Sequence, residues 1–468
     1  MSHEVLVQEG NDLNTTVPFK WLVGTRLRLD ASYYTRDVFK ARKVMEEHPQ
    51  QRIDQVVQRV FNLTRFKRVY ARSDSGISYL SASEAMFFRP ASERYLSKSK
   101  TENIDQYLVQ KGWALLTCSG TVGRITYVGE RLSKFAFTHD LIRIVPRDEQ
   151  TRIGYLCAYL SSWIGQTLLT KDQYGSAVKH LEPHHINSIP VPLISEDMQR
   201  RIHEGFLHAY DLREKANLLL DDAQAKLYKE LGLRPISSEE FLVSDPASFT
   251  IMAFELNLRL DASYHNPGIR TIATRMKAGN YPITRLGSKI AEVFMPNRFK
   301  RAYVTKEQGI PFLQGKHIVE LKPYDVKYIS TKVTKDIERC KIHTGQILVT
   351  RSGTIGRVAV VPKHWDGWTA TEHLIRIVPD DSKAKAGYIA AFLMNPYGYY
   401  QIVGKTFGAV IGEISENHLK EIFLPNPPRD VQEKIDRLVM EAFELKEEAN
   451  KIEQEAITLL EKELTQQA

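Results

Sequence analysis

The chain is written twice. The segment Arg28-Leu-Asp-Ala-Ser-Tyr33 recurs as Arg259-Leu-Asp-Ala-Ser-Tyr264, an offset of 231 residues. From Arg65 onward the offset is 233. RFKR at 65–68 returns at 298–301, SGTVGR at 119–124 returns as SGTIGR at 352–357, and LIRIVP at 141–146 returns at 374–379. Gly154-Tyr155 likewise returns as Gly387-Tyr388. A repeat of half the chain length means a tandem pair of like domains, not a solenoid of short units. With 468 residues the chain is also too long for one core.

Each copy has the same internal order. A mixed region comes first, at 20–195 and 250–428, behind a tail at 1–19 and a linker at 233–249. Its strand-like runs are Trp113–Thr117, Ile125–Val128 and Leu141–Val145, matched by Gln346–Thr350 and Arg357–Val361. Ile153–Leu169 reads as one helical stretch, and Pro190 and Pro192 then stop regular structure. A long helix closes each copy, at 196–232 and within 429–468. Met198, Ile202, Gly205, Ala209, Leu212, Ala216, Leu219 and Ala223 step at alternating spacings of four and three. Val431, Ile435, Leu438, Ala442, Leu445, Ala449, Ile452, Ala456 and Leu459 do the same. So long an apolar seam needs a partner, and each helix is the natural partner of the other, with Ile202, Leu212, Leu219, Ile435, Leu445 and Ile452 in the contact; packing of each helix on its own domain alone is the plainer alternative. The fold class expected is α/β (mixed α+β): two domains alternating with two helices paired as an antiparallel coiled coil, related by a pseudo-twofold axis.

Composition narrows the setting. There are 64 Lys and Arg against 56 Asp and Glu, with a pI near 9.1, which permits a polyanionic partner without requiring one. Cys118, Cys157 and Cys340 form no CxxC pair, so no disulfide framework or zinc cluster is expected and a reducing cytoplasm fits. The polar, acidic start MSHEVLVQEG is no signal peptide, and no apolar run is long enough to span a bilayer.

Signals of catalysis fail one by one. Asn426-Pro427-Pro428 approaches an amino-methyltransferase motif, but Arg429 stands where an aromatic must cradle the base. No Gly-x-Gly occurs to hold S-adenosylmethionine. Gly404-Lys405-Thr406 would need an earlier glycine where Tyr399 sits. Pro379-Asp380-Asp381 lacks a Glu-x-Lys partner for a nuclease, and His184-His185 has no further metal ligands. No catalytic residue, metal site or bound cofactor is expected in this chain.

Two diverged domains alternating with two long helices resemble the specificity (S) subunit of type I restriction–modification systems. The resemblance covers nearly the whole chain, and its most specific piece is ILVTRSGTIGRVAVV at 347–361, echoed as LLTCSGTVGRITYV at 115–128. It implies two target-recognition domains, each reading half of a bipartite site in double-stranded DNA. It also implies helices that bind two methyltransferase (modification) subunits, which hold S-adenosylmethionine, and optional restriction/translocase subunits. A contrasting reading is a scaffold whose domains and rod bind only proteins.

Several residues are candidates for DNA contact. Arg65, Lys67 and Arg68, with Arg298, Lys300 and Arg301, set three cations around an aromatic and could neutralise phosphates; a solvated strand edge is the duller reading. Gly120, Gly123, Gly353 and Gly356 allow turns whose N–H groups approach an anion, with Ser119, Thr121, Ser352 and Thr354 as hydroxyl donors. Arg124, Arg351 and Arg357 add charge there; an ordinary hairpin turn is the alternative. Gln314, Lys316 and His317 stand opposite Ser81, Ser83 and Glu84, the kind of difference two half-site readers need, although drift also produces it. Tyr174 and Lys179, with Phe407 opposite Tyr174, lie in glycine-bearing loops that could reach a groove.

Overall fold

A computed structural model describes residues 17, 19, 22, 31–174, 178–236, 248–256, 259–262, 264–408 and 411–466. Arg28–Asp30 of the first repeat, most of the 1–19 tail and most of the 233–249 linker lie outside these residues.

In the first copy the strands are β1 Gln50–Arg52, β2 Arg59–Phe61, β3 Tyr70–Ala71, β4 Gly76–Leu80, β5 Tyr95–Ser97, β6 Ala114–Thr117, β7 Ile125–Tyr127, β8 Ala136–Phe137, β9 Leu141–Val145 and β10 Pro190–Pro192. The second copy repeats them as β11 Ile283–Arg285, β12 Ile290–Phe294, β13 Tyr303–Val304, β14 Gly309–Leu313, β15 Lys327–Ser330, β16 Ile347–Thr350, β17 Val358–Val360, β18 Thr369–Ala370, β19 Leu374–Pro379 and β20 Phe423–Pro425. Among the described residues each copy builds two four-stranded sheets and a two-stranded ribbon. The sheet orders are β2-β9-β6-β7 and β3-β5-β4-β8, matched by β12-β19-β16-β17 and β13-β15-β14-β18. Pairing is antiparallel except where β4 meets β8 and β14 meets β18. β6 and β16 are buried at every position, which is why they read as unbroken apolar runs.

The recurrence of LIRIVP has a structural cause. Arg143 and Arg376, in the middle of β9 and β19, are fully buried. Arg143 donates to the carbonyls of Leu141 (2.6 Å) and Thr138 (3.1 Å). Arg376 donates to Leu374, Ala370, Thr371 and Cys340 at 2.6–3.0 Å. Burial pulls both guanidinium pKa values down to about 10, still above neutrality, so each remains a charged staple between one sheet and the loop leaving the other.

The stretch expected as one helix over 153–169 is two: α1 Ile153–Ser161 and α2 Trp163–Thr170. Ser162 breaks the run with an extended backbone and caps α2, its Oγ accepting from the Gly165 N–H at 3.1 Å. Asn395 does the same between α4 Ala386–Met394 and α5 Pro396–Gly404. The uniformly apolar flanks hid a local cap.

Between these pairs runs α3 Glu196–Leu231, and α6 Arg429–Gln466 closes the chain. The two lie antiparallel: Arg213 reaches Asn450 at 2.9 Å, and a Cβ on Gly205 would lie 3.7 Å from that of Ala456. The first domain's core takes in Ile202, Phe206 and Tyr210 of α3 with Ile457, Leu460 and Leu464 of α6; the second domain's core takes in the opposite ends. The expected seam is right at Ile202, Ala209, Ala216, Ala223, Ile435, Ala442, Ala449 and Ala456, all buried. Val431 is buried as well, and most of the remaining positions are displaced by one residue. Leu212, Leu219, Leu445 and Ile452 are only half-buried, and the deep positions belong to Phe206, Arg213 and Leu220 on α3 and Val439, Lys446, Glu453 and Leu460 on α6. Three of those are charged, so apolar periodicity passed them over for the leucine or isoleucine alongside.

The charges sit there because the two domains meet at the middle of the rod. The N–H of Phe88 donates to Val319 O (2.8 Å) and that of Leu321 to Met86 O (2.9 Å). Met86 and Val319 are repeat equivalents, as are Phe88 and Leu321, so the pseudo-twofold axis passes between Phe87 and Glu320. Asn217 donates to Phe88 O at 2.8 Å. Glu453 accepts from Arg213 (2.6 Å) and from Lys322 of the second domain (2.7 Å). Lys446, the repeat equivalent of Arg213, is 1 % exposed, with its ammonium 5.0 Å from the Phe88 ring centre and 5.3 Å from that of Trp365.

Burial drives the Lys446 pKa from 10.5 down to about 8. A base whose folded pKa lies below its unfolded value weakens the fold while it is charged in both states. Stability from this group therefore rises as pH climbs from about 8 to 10.5, by on the order of 3 kcal/mol. In urea unfolding at pH 7.5 and pH 10, Lys446→Met is expected to be the more stable protein at pH 7.5 and to lack this part of the rise. Equal pH dependence in the two proteins would contradict the assignment.

Candidate nucleic-acid interface

In each domain three loops and the basic run converge on one face. The Ser119–Arg124 loop joins β6 to β7, and Gly120 (φ 74°) gives it a turn that L-residues resist. Thr117 Oγ1 accepts from the Arg124 N–H (3.0 Å) and donates to Thr121 O (2.6 Å), pinning the loop from inside. Thr350, Thr354 and Arg357 repeat these bonds, with Gly353 at φ 74°. The loop after α2 lies against this turn: Gly120 N–H donates to Lys179 O at 3.1 Å, and Ser119 Oγ bonds His180 Nδ1 at 3.1 Å. The 138–140 segment adjoins it through Cys118 N–H to Asp140 O (3.1 Å), and in the second copy the basic run reaches the equivalent segment directly, Arg301 bonding Glu372 at 2.8 Å. Burial lowers the His139 pKa, Asp140 opposes this, and Arg68 and Arg65 add to it.

Of the candidate residues, Arg65, Lys67, Arg68, Thr121, Tyr174, Lys179, Arg298, Lys300, Lys316 and Thr354 present exposed side chains, while Ser119, Ser352 and Gln314 are half-buried. Ser352 Oγ bonds His373 Nδ1 at 2.8 Å, and the Tyr174 hydroxyl donates to Glu182 at 2.8 Å.

Other candidates are paired or enclosed within the protein. Arg124 pairs with Glu320 of the other domain at 2.8 Å and lies 5.0 Å from the Tyr324 ring centre, so its charge joins the domains instead of facing outward. Arg351 pairs with Glu413 at 2.6 Å. Arg301 is held by both oxygens of Glu372 at 2.8 Å. Arg357 has its Nε buried without a hydrogen-bond partner. Within the glycine turns, the N–H groups of Gly120, Gly123 and Gly356 already bond carbonyls of their own domain.

His317 is fully buried, and its Nδ1 accepts from the Gln314 N–H at 3.0 Å. Glu84 accepts from the Ser81 N–H at 2.7 Å in the same place in the first copy. Both side chains cap the turn three residues behind them, so this pair differs in chemistry yet does one structural job. Burial pushes the His317 pKa down to about 4, leaving the imidazole neutral.

Tyr70 and Tyr303 escape the motif reading of the sequence. They are repeat equivalents just after the basic runs, on β3 and β13, and each is about half exposed, at 49 % and 48 %. Their recurrence at the 233-residue offset, next to RFKR, is the signal that could have found them.

No helix among the described residues is long and apolar enough to cross a membrane, and no group of three or more His, Cys, Asp or Glu among them could hold a metal ion.

The family profile of the type I restriction modification DNA specificity domain matches the chain twice, at residues 70–218 and 284–458. No curated protein matches the sequence. Among solved structures, the HsdS subunit from Thermoanaerobacter tengcongensis aligns at 14 % identity, covering 90 % of this chain and 97 % of that one, with a TM-score of 0.28. The S subunit of a type I restriction-modification system from M. genitalium aligns at 11 % identity over 90 % and 95 %, with a TM-score of 0.30.

Proposed function

Since this chain belongs to the type I restriction modification DNA specificity family, we propose that it is the sequence-reading subunit of such a complex and has no catalysis of its own. Each domain reads one half of a bipartite site in double-stranded DNA. The rod docks two modification subunits that bind S-adenosylmethionine and methylate the site in the cytoplasm; restriction/translocase subunits are optional members of the same complex. The observation that carries this reading is the profile match falling on both halves of the chain, on either side of one pseudo-twofold axis. Two inverted domains fit a ligand with two separated halves. The exposed cations on each loop face suit phosphate contacts, which fix position without reading sequence.

The test is selection from random duplex libraries with the full complex, which is expected to enrich two short sequences separated by a fixed non-specific spacer. Replacing Arg298 and Lys300 by Ala is then expected to weaken binding to all sequences alike. The slope of log affinity against log salt should become shallower by about 2, close to one for each phosphate no longer neutralised. An unchanged slope would return these residues to ordinary surface, and a flat slope in the unaltered protein would favour a scaffold that binds only proteins.

A further inference from the structure

We propose that Glu372 is a positioning residue that withholds Arg301 from DNA, so that the two domains grip the phosphate backbone unequally; this rests on the DNA-specificity reading above. The two basic runs are identical in sequence but not in setting. In the first domain the guanidinium of Arg68 lies 5.7 Å from the ring centre of Tyr79, and its Nε donates to the Tyr79 hydroxyl at 2.9 Å. A neutral oxygen fixes the side chain and leaves its charge uncompensated. Its neighbours are Arg65 and His139. The nearby carboxylate, Asp140, is engaged elsewhere, accepting from Thr138 Oγ1 at 3.0 Å and facing His139 at 3.5 Å.

In the second domain the ring under the arginine is Phe312, 5.6 Å from the Arg301 guanidinium and without a hydroxyl. Where the first domain has His139, the second has Glu372, and Arg301 turns to it with bonds of 2.8 Å to both carboxylate oxygens. Burial pushes the Glu372 pKa up, but a backbone hydrogen bond and Arg301 outweigh it and hold the group below the usual carboxylate range, so it is ionised at neutral pH. Thr371 Oγ1 donates to the same carboxylate at 3.0 Å, fixing its place. Two differences, Tyr79 against Phe312 and His139 against Glu372, thus account for each other. An arginine already neutralised by a carboxylate releases no counterions when DNA arrives, whereas a free one does.

The test uses the full complex and the duplex enriched by the unaltered protein. The slope of log affinity against log salt is measured for Glu372→Gln, Arg301→Gln, the double variant and His139→Glu. Glu372→Gln is expected to steepen the slope by about 1, one further phosphate neutralised, and to have no such effect once Arg301 is Gln. His139→Glu, at a side chain 18 % exposed beside Asp140 and therefore first checked for an unchanged urea midpoint, is expected to make the slope shallower by about 1, by giving Arg68 the carboxylate it lacks. An effect of Glu372→Gln that persists without Arg301 would reduce Glu372 to a general field effect and overturn the proposal, as would unchanged slopes in both single-glutamate tests. If the unaltered complex enriches no sequence, the DNA-specificity reading itself fails, a result distinct from either of these.

Discussion

Exchanging residues 31–195 for the matching domain of a relative is expected to change one half of the recognised sequence and leave the other half and the spacer intact. Each domain has its own core and its own face of three converging loops, and the two faces share no loop. At about 1–3 kcal/mol per altered base pair, three changed pairs lower affinity for the original site by at least about a hundred-fold. The joint between domains sets a condition on the exchange. The incoming segment must keep the Phe88 N–H to Val319 O bond, which any residue but proline can make, and must keep an arginine at 124 to meet Glu320. Without it, Glu320, 2 % exposed, is left as a buried charge without its cation. Library selection with the exchanged protein decides the matter: if both halves of the sequence change together, the domains do not read independently.

Glu453→Gln is expected to destabilise the protein by roughly 3–5 kcal/mol, the usual cost of leaving one member of a buried ion pair uncompensated. Glu453 is buried and joins Arg213 of α3 to Lys322 of the second domain, so its loss strips the rod and the domain joint together. Burial alone would raise its pKa, but Lys322 and Arg213 override that and bring it down to about 2 from 4.5. A carboxylate whose folded pKa is depressed stabilises the fold fully above the unfolded value and loses that contribution as pH falls from about 4.5 toward 2. Unfolding in urea at pH 7 and pH 3 should therefore show the variant's deficit shrinking at the lower pH. A deficit below about 1 kcal/mol at pH 7 would mean that water, not protein, surrounds this carboxylate. Replacing Arg213 and Glu453 together by leucine is expected to recover much of the loss, since matched apolar side chains avoid the desolvation cost.

The sequence by itself determined the duplication, the alternation of domain and helix, the start of the second long helix near Pro428 and the antiparallel pairing. These rest on local signals: repeated hexamers, prolines, and an apolar seam at spacings of four and three in which alanine recurs every seven residues. It also brought out most of the exposed cations, because RFKR stands out wherever it folds. Tertiary structure alone decided the phase of half the seam, since Arg213, Lys446 and Glu453 are core residues only because partners from the other helix and from both domains enclose them. Only it could tell Arg68 from Arg301, or show that His317 and Glu84 cap equivalent turns. A charged side chain carries no mark in the sequence of whether its partner will be solvent, DNA or a carboxylate hundreds of residues away. Desolvation and pairing settle that, and both arise only once the chain has closed around its twofold axis.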